Sequence, residues 1–352
     1  MTRDGLRRHA LALQSPRMSS IRDVSRFAGV SVATVSRALR NPEKVAQETR
    51  ARVLEAARAV DYRPNMMARN FRSRQAFAIV VLAPDIANPF FARVVRGIEQ
   101  VAQKAGYAVL LGDTQGSPER EAEYLNLVQS RQADGVIQLA ARIDPEALGR
   151  LWREGEPAAI VNACECADTA FCPRIQIDNA AAARTMTEHL IGLGHRRIGV
   201  VTGPLASPLT RDRLAGHRQA LQAAGLAYDP ALTVPGDFSL QSGLDAVAPL
   251  LRADPRPTAV FCCNDEMAIG AIRGLKMAGL TPPGDMSVAG FDDIDFARFC
   301  DPPLTTIAQP MEELGRAAMA LLLRILNGER PANDLTILPT TLVVRDSTAP
   351  AA

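Results

Sequence analysis

From Ala76 to about residue 345 the chain alternates short apolar runs with longer amphipathic stretches, a rhythm that few folds accept. "AFAIVVLAP" (76–84) is rich in β-branched residues and reads as a buried strand. "PFFARVVRGIEQVAQKAG" (89–106) has helical apolar spacing and ends at Gly106, a suitable C-cap. "YAVLLGD" follows as a strand, a helix runs from Ser117 to about Arg131, and "DGVIQLA" is the next strand. "AAIVNA", "RIGVVTG", "TAVFCCND" and "SVAGFDD" continue the series. Strands separated by helices of this length make parallel βαβ units. The pattern restarts near Ile177, which predicts two α/β subdomains with a cleft between them. Ligands in such sheets sit beyond the carboxyl ends of the strands. That rule selects Asp85, Asn162, Asn264, Asp265 and Asp292, each just after an apolar run.

Charge divides the chain differently. Residues 1–76 carry sixteen Arg or Lys against six Asp or Glu, a net of +10, while the rest carries 24 against 32, a net of −8. A basic head on an acidic body is the footprint of a nucleic-acid reader with a second function. No apolar run approaches the roughly 18 residues of a membrane span. Residues 1–18 are basic but lack the apolar core of a signal peptide, so a cytoplasmic protein is expected, with Met18 an alternative start. The six cysteines form no CxxC pair, and reduced, unpaired thiols are expected.

"SSIRDVSRFAGVSVATVSRAL" carries helix–turn–helix spacing. Ser20 is the predicted N-cap, with Asp23 closing a capping box. Ile21, Val24 and Phe27 or Ala28 make one apolar face, Gly29 allows a tight turn, and Ser31 caps a second helix whose Val35 and Leu39 face inward. Val32, Ala33, Ser36 and Arg37 face outward, where an Arg can pair bidentately with guanine. A third helix from about Gln47 to Val60 packs through Val53, Leu54 and Ala57.

These residues are followed by "PDIANPFFARVVRGIE", "HLIGLGHRRIGVVTGP", "FCCNDEMAIGAI" and "GFDDIDFARFCDPPLTTIAQP". Together they resemble the LacI/GalR repressors over roughly residues 19–346, and among them the cytidine repressor branch. The resemblance implies a homodimer on a near-palindromic double-stranded operator. Base reading then falls to Val32, Ala33 and Arg37, with Ser31, Thr34 and Asn41 near the backbone. Pro64 and Asn65 begin an implied hinge helix. In it Phe71 stands where relatives insert an apolar wedge into the minor groove, flanked by Arg69, Asn70 and Arg72.

The resemblance further implies an effector held between subdomains of a periplasmic-binding-protein-like body. Matched by motif, the pocket takes Phe90, Phe91, Asn162, Arg213, Phe238, Asn264 or Asp265, and Asp292, with Arg142 a weaker candidate. A carboxylate, an Arg and aromatic faces suit a small polar ring compound. A nucleoside such as cytidine is favoured, with a sugar or sugar phosphate as the alternative and a free transport protein as a remoter one. The expected organisation is a start segment (1–18), a helical headpiece (19–63), a hinge helix and linker (64–76), a body (77–346) and a polar tail (347–352). Within the body the first subdomain takes about 77–175 plus 306–338 and the second about 176–305 plus 339–346. "GLGHRR" precedes its strand and lacks the third glycine of a dinucleotide fingerprint. The four histidines make neither a metal cluster nor a catalytic triad, so no enzyme activity, cofactor or metal is expected.

Overall fold

The computed structural model describes residues 20–40, 42–62, 75–140, 159–166, 172–329 and 335–351. The chain divides into two compact units at residues 74 and 75, a headpiece and a body.

Three helices make the headpiece: α1 (Ile21–Ala28), α2 (Val32–Arg40) and α3 (Gln47–Ala59). The Ser20 backbone N–H and hydroxyl both donate to Asp23 Oδ2, at 2.9 and 2.7 Å, so Asp23 closes the helix start as foreseen from sequence. Gly29, at φ +64°, ends α1 in the left-handed conformation that L side chains avoid. Arg52 of α3 donates to the Ala28 carbonyl at 2.6 Å, satisfying an acceptor the helix end leaves open. Val24, Ala28, Val35, Ala38, Val53, Ala56 and Ala57 form the core. Ala28 therefore takes the inward position and Phe27 is 66% exposed. Leu54, expected to pack inward, is also exposed; Ala56 replaces it, because Val53, Ala56 and Ala57 share the i, i+3, i+4 face of α3.

Two parallel sheets organise the body. The first contains β1 (Ala78–Ala83), β2 (Ala108–Asp113), β3 (Gly135–Gln138), β4 (Ile160–Ala163), β5 (Arg174–Ile177) and β11 (Leu335–Leu338), in the order β11-β5-β4-β3-β1-β2. The second contains β6 (Ile198–Thr202), β7 (Thr233–Pro235), β8 (Ala259–Cys262) and β9 (Ser287–Ala289), in the order β7-β6-β8-β9. β10 (Thr306–Ala308) and β12 (Thr341–Val343) pair antiparallel beside β9, with bridges Ala289–Thr305 and Asp292–Ala308. The chain crosses between the halves after Ile177, between Asp292 and Met311, and between Leu338 and Thr341.

Helices cover both sheets. Around the first lie α4 (Pro89–Lys104), α5 (Pro118–Gln129) and α11 (Met311–Leu326). Around the second lie α6 (Asn179–Gly192), α7 (Pro208–Ala223), α8 (Leu240–Asp245), α9 (Val247–Arg252) and α10 (Asp265–Met277). Ser117, Asp178, Ser207, Ser239 and Asn264 each cap a helix with a side-chain oxygen. The segment expected to be a polar tail is tied in instead. Ser347 Oγ donates to Val288 O at 2.6 Å, and the His195 ring bonds Thr258, Ser287 and the Ala349 carbonyl. The Val288 N–H also donates to the Ser347 carbonyl at 2.8 Å, so backbone and side chain together fasten this segment to β9.

Candidate functional site

Two surfaces can recognise ligands. On the headpiece, Ser31 Oγ accepts from the Thr34 N–H at 3.1 Å and pairs with the Thr34 hydroxyl at 2.9 Å. This cap fixes the start of α2, whose Val32, Ala33 and Arg37 side chains are exposed while Val35 and Ala38 are buried. Ser36 and Thr34 are half-buried at the edge of that face. Ser31→Ala should cost the headpiece about 1 kcal/mol, measured by the denaturant midpoint of residues 19–63; a change below a few tenths would show that the cap contributes nothing. Asn41, Arg69, Asn70, Phe71, Arg72 and Arg142 lie outside the described residues.

In the body, a cavity of about 810 Å³ opens between the carboxyl ends of the two sheets. Phe90, Phe91, Arg213, Phe238, Asn264 and Asp292 line it, as does Asp85 from the strand-end rule. Two expected residues do not. Alternation along β4 puts Asn162 on the face of Ile160, which packs with Leu125 of α5. Asn162 is 2% exposed, and its Nδ2 reaches the Ala140 carbonyl at 3.4 Å. Cys164, at φ +70°, turns the chain so that Cys164 and Glu165 form the wall instead. Asp265 is fully buried, one step round α10 from the cap residue Asn264. It accepts from the Thr306 hydroxyl at 2.5 Å and the Ile294 N–H at 2.9 Å, bracing the crossing segment.

Arg213 is 4% exposed. Its Nε donates to Asn179 Oδ1 at 2.9 Å, Nη1 donates to the Cys263 carbonyl and lies 3.8 Å from Asp292 Oδ1. Its guanidinium stacks 3.7 Å from the Phe291 ring centre. Asp292 also accepts from Gln309 Nε2 at 2.7 Å. Burial pushes the Asp292 carboxyl up to about 6, against the pull of Arg213 and Gln309. Asp292 and Asp293 hold φ of +121° and +60°, and Arg345 anchors Asp293 at 2.6 Å. Backbone strain of this kind persists only where surroundings over-determine it.

Phe238, at φ +72°, lays its ring on Gly203, where a Cβ would occupy the ring's own position. Asn264 fixes that loop: Nδ2 donates to the Phe238 carbonyl at 2.9 Å while Oδ1 caps α10 through the Met267 N–H. Asn264 thus acts by holding Phe238. Phe90 is core and meets Phe91 edge-on at 5.2 Å, leaving Phe91 half-buried toward the cavity. Glu165, Ser207, Glu266 and Gln309 are lining residues that the sequence reading did not select. For Glu266 the signal was its place directly after Asn264 and Asp265; for Glu165 and Ser207 no local signal exists. The Ser207 hydroxyl donates to Glu165 Oε1 at 2.5 Å, a contact from the second half of the body to the first.

Among the described residues no cluster of His, Cys, Asp or Glu could hold a metal ion, and no helix is long and apolar enough to cross a membrane. All six cysteines are free, five of them buried.

Residues 20–65 match the family model for bacterial regulatory proteins of the lacI family, and residues 187–348 match the periplasmic binding protein-like domain. The HTH-type transcriptional repressor CytR of Escherichia coli (strain K12) is 43% identical over 94% of this chain and 96% of its own length. Catabolite control protein A of Priestia megaterium is 36% identical over 94% of this chain and 99% of its own. Among solved structures, the lac repressor dimer bound to operator and an anti-inducer superposes with a TM-score of 0.82 at 28% identity, covering 95% of this chain and all of that one. A helix–turn–helix with its α2 face exposed and a two-sheet body agree with these matches, and the chain belongs to the LacI family of DNA-binding bacterial transcriptional regulators, which are not enzymes.

Proposed function

We propose that this regulator is an effector-controlled repressor that binds a near-palindromic operator as a homodimer and takes a nucleoside such as cytidine in its cleft. The observation that carries the effector reading is Phe238, an aromatic face set on Gly203 in a cavity whose directed polar groups are a buried Arg213–Asp292 pair. A flat base stacks on such a ring, and the remaining polar edge meets hydrogen-bonding groups. The 43% identity to CytR supports the same reading.

On the headpiece, Arg37 is the exposed group that can pair with guanine, while Val32 and Ala33 meet thymine methyls. Ser31, Thr34 and Ser36 sit where phosphates pass. Asn41 and Arg69, Asn70, Phe71 and Arg72 of the hinge would complete the interface. Met277, Phe296 and Phe299, 64%, 59% and 78% exposed on the body, supply apolar area for a second copy.

Control follows from coupling. The Glu165–Ser207 contact is one that opening or closing the cleft makes or breaks. An effector that prefers one orientation of the two halves shifts the population by its difference in affinity. Induction is the expected sense.

A gel shift on the DNA upstream of the regulated genes, with and without nucleosides, tests this reading. Specific binding should be relieved by cytidine, and Arg37→Ala should weaken it about ten- to hundredfold. No specific binding under any condition would sink the repressor reading. Relief by a sugar or sugar phosphate and by no nucleoside would replace the effector.

A further inference from the structure

Residues 292–297 serve both halves of the body. Asp292 lines the cavity beside Arg213. Ile294, two residues on and 2% exposed, lies in the core of the first half with Phe90, Val94 and Met311. Ala297 then lies in the core of the second half with Phe261 and Phe291. Ile269 of α10 packs against both cores. Ile294 itself is not among the residues that line the cavity.

This stretch has little slack. The Asp292 N–H donates to the Ile307 carbonyl at 2.8 Å and the Asp292 carbonyl accepts from the Gln309 N–H at 3.1 Å, so both sides of that residue are fixed to β10. Asp292 and Asp293 hold φ of +121° and +60°, narrow wells for L residues. Arg345 holds the Asp293 carboxylate at 2.6 Å. The Ile294 N–H donates to Asp265 Oδ2 at 2.9 Å, and the same carboxyl takes the Thr306 hydroxyl. An ordinary loop absorbs a displacement by rotating φ and ψ. Here the anchors block that rotation, so a shift of the Asp292 carboxyl is passed on to the Ile294 side chain. Close-packed cores do not yield smoothly but move between discrete arrangements.

We propose that Ile294 is the pin that carries the state of the cleft into the first half of the body. It is a positioning residue that sets how strongly effector binding changes operator affinity. The inference rests on the effector-controlled reading above, and not on which effector fills the cleft. The side chain is an apolar knob in one core while its backbone N–H is bonded to the other half. Truncating it leaves the cavity lining and the α2 face in place but lets one half turn without the other. The coupling between the two sites then falls.

Gel shifts with the upstream DNA, run with and without saturating cytidine on the full chain, give the coupling as the ratio of the two operator affinities. Ribose is the second probe if cytidine has no effect. Ile294→Ala should shrink the wild-type ratio by at least about fivefold, within the range that changes in a coupling element produce. Its affinity for cytidine in calorimetry, and for operator without effector, should stay close to wild type. Ile98→Ala opens an equivalent hole elsewhere in the same core and should leave the ratio unchanged. Ile294→Val and Ile98→Val, each losing one methyl and folding in any case, should repeat the contrast on a smaller scale. An undiminished ratio in Ile294→Ala, or an equal loss in Ile98→Ala, overturns the pin and leaves the effector reading intact. A fall in cytidine affinity as large as the fall in coupling makes Ile294 a support of the pocket and overturns the pin as well. If neither probe changes wild-type operator binding, the effector reading fails and the pin falls with it.

Discussion

Replacing Arg213 with Ala should destabilise the body by about 3–5 kcal/mol at pH 8, because it strands a buried carboxylate. Asp292 would lose the cation beside it while keeping Gln309 as a donor. Asn179 Oδ1 and the Cys263 carbonyl would lose their donor as well. The deficit should shrink at pH 5. The Asp292 carboxyl already stands up at about 6 in the folded chain, above its ordinary range, and removing Arg213 raises it further. A raised carboxyl penalises folding above its folded value, and that penalty disappears as falling pH protonates it. In scanning calorimetry the midpoint should fall by roughly 10 °C at pH 8 and clearly less at pH 5. The variant should also lose the stabilisation of about 2.7 kcal/mol that an effector gives at 100 times its Kd. Adding Asp292→Asn should recover part of the stability and none of the ligand response. A deficit under about 1 kcal/mol would remove Arg213 from the stabilising role, and a full ligand response would remove it from the binding site.

Gly315→Val should cost at least about 3 kcal/mol, the upper range for overpacking. α4 and α11 cross on reciprocal glycines: a Cβ on Gly315 would land on the Val94 carbonyl, and one on Gly97 on the Glu312 carbonyl. Gly216 meets Ala180 between α7 and α6, and Gly243 and Gly270 meet Met267 and Leu240 between α8 and α10 in the same way. Each obstacle is backbone, which cannot rotate aside, so relief requires the helices to move apart and open the core beneath. The comparison is Gly192→Ala. No atom lies within 4 Å of a Cβ there, and Ala favours a helix, so that change should be neutral or slightly stabilising. Equal midpoints for Gly315→Val and wild type in urea unfolding would show that these crossings are loose.

How far the sequence reached depended on the range of the interactions involved. The helix boundaries were legible to within a few residues because caps and turn glycines act over three or four positions: Ser20 with Asp23, Ser31 with Thr34, and Gly106 just beyond α4. The strands were legible because buried parallel strands are apolar on both faces. Leu54 was misplaced because a helix's apolar stripe is ambiguous at its edges, and only packing against α1 and α2 decided that Ala56 goes in. The C-terminal residues read as a tail because a lone Ser347 hydroxyl and the Ala349 carbonyl, which hold them to β9 and His195, make no periodic pattern.

Within the cleft the same division holds. That a cavity opens at the strand ends, lined by an Arg, a carboxylate and aromatic rings, was written in the order of the motifs. Which residues face it was not. Asn162 and Asp265 follow apolar runs just as Asp85 and Asn264 do, yet one is turned by strand alternation onto the α5 face and the other by the helix toward Thr306. Glu165 and Ser207, 42 residues apart in sequence, meet because the chain crosses between the halves between them. Sequence alone determined the family, the helical head, the two-sheet body and the types of group in the cleft, because periodicity and capping are local. Tertiary structure alone decided which of those groups are spent on one another, as Arg213 is on Asp292, because pairing depends on distances no local pattern encodes.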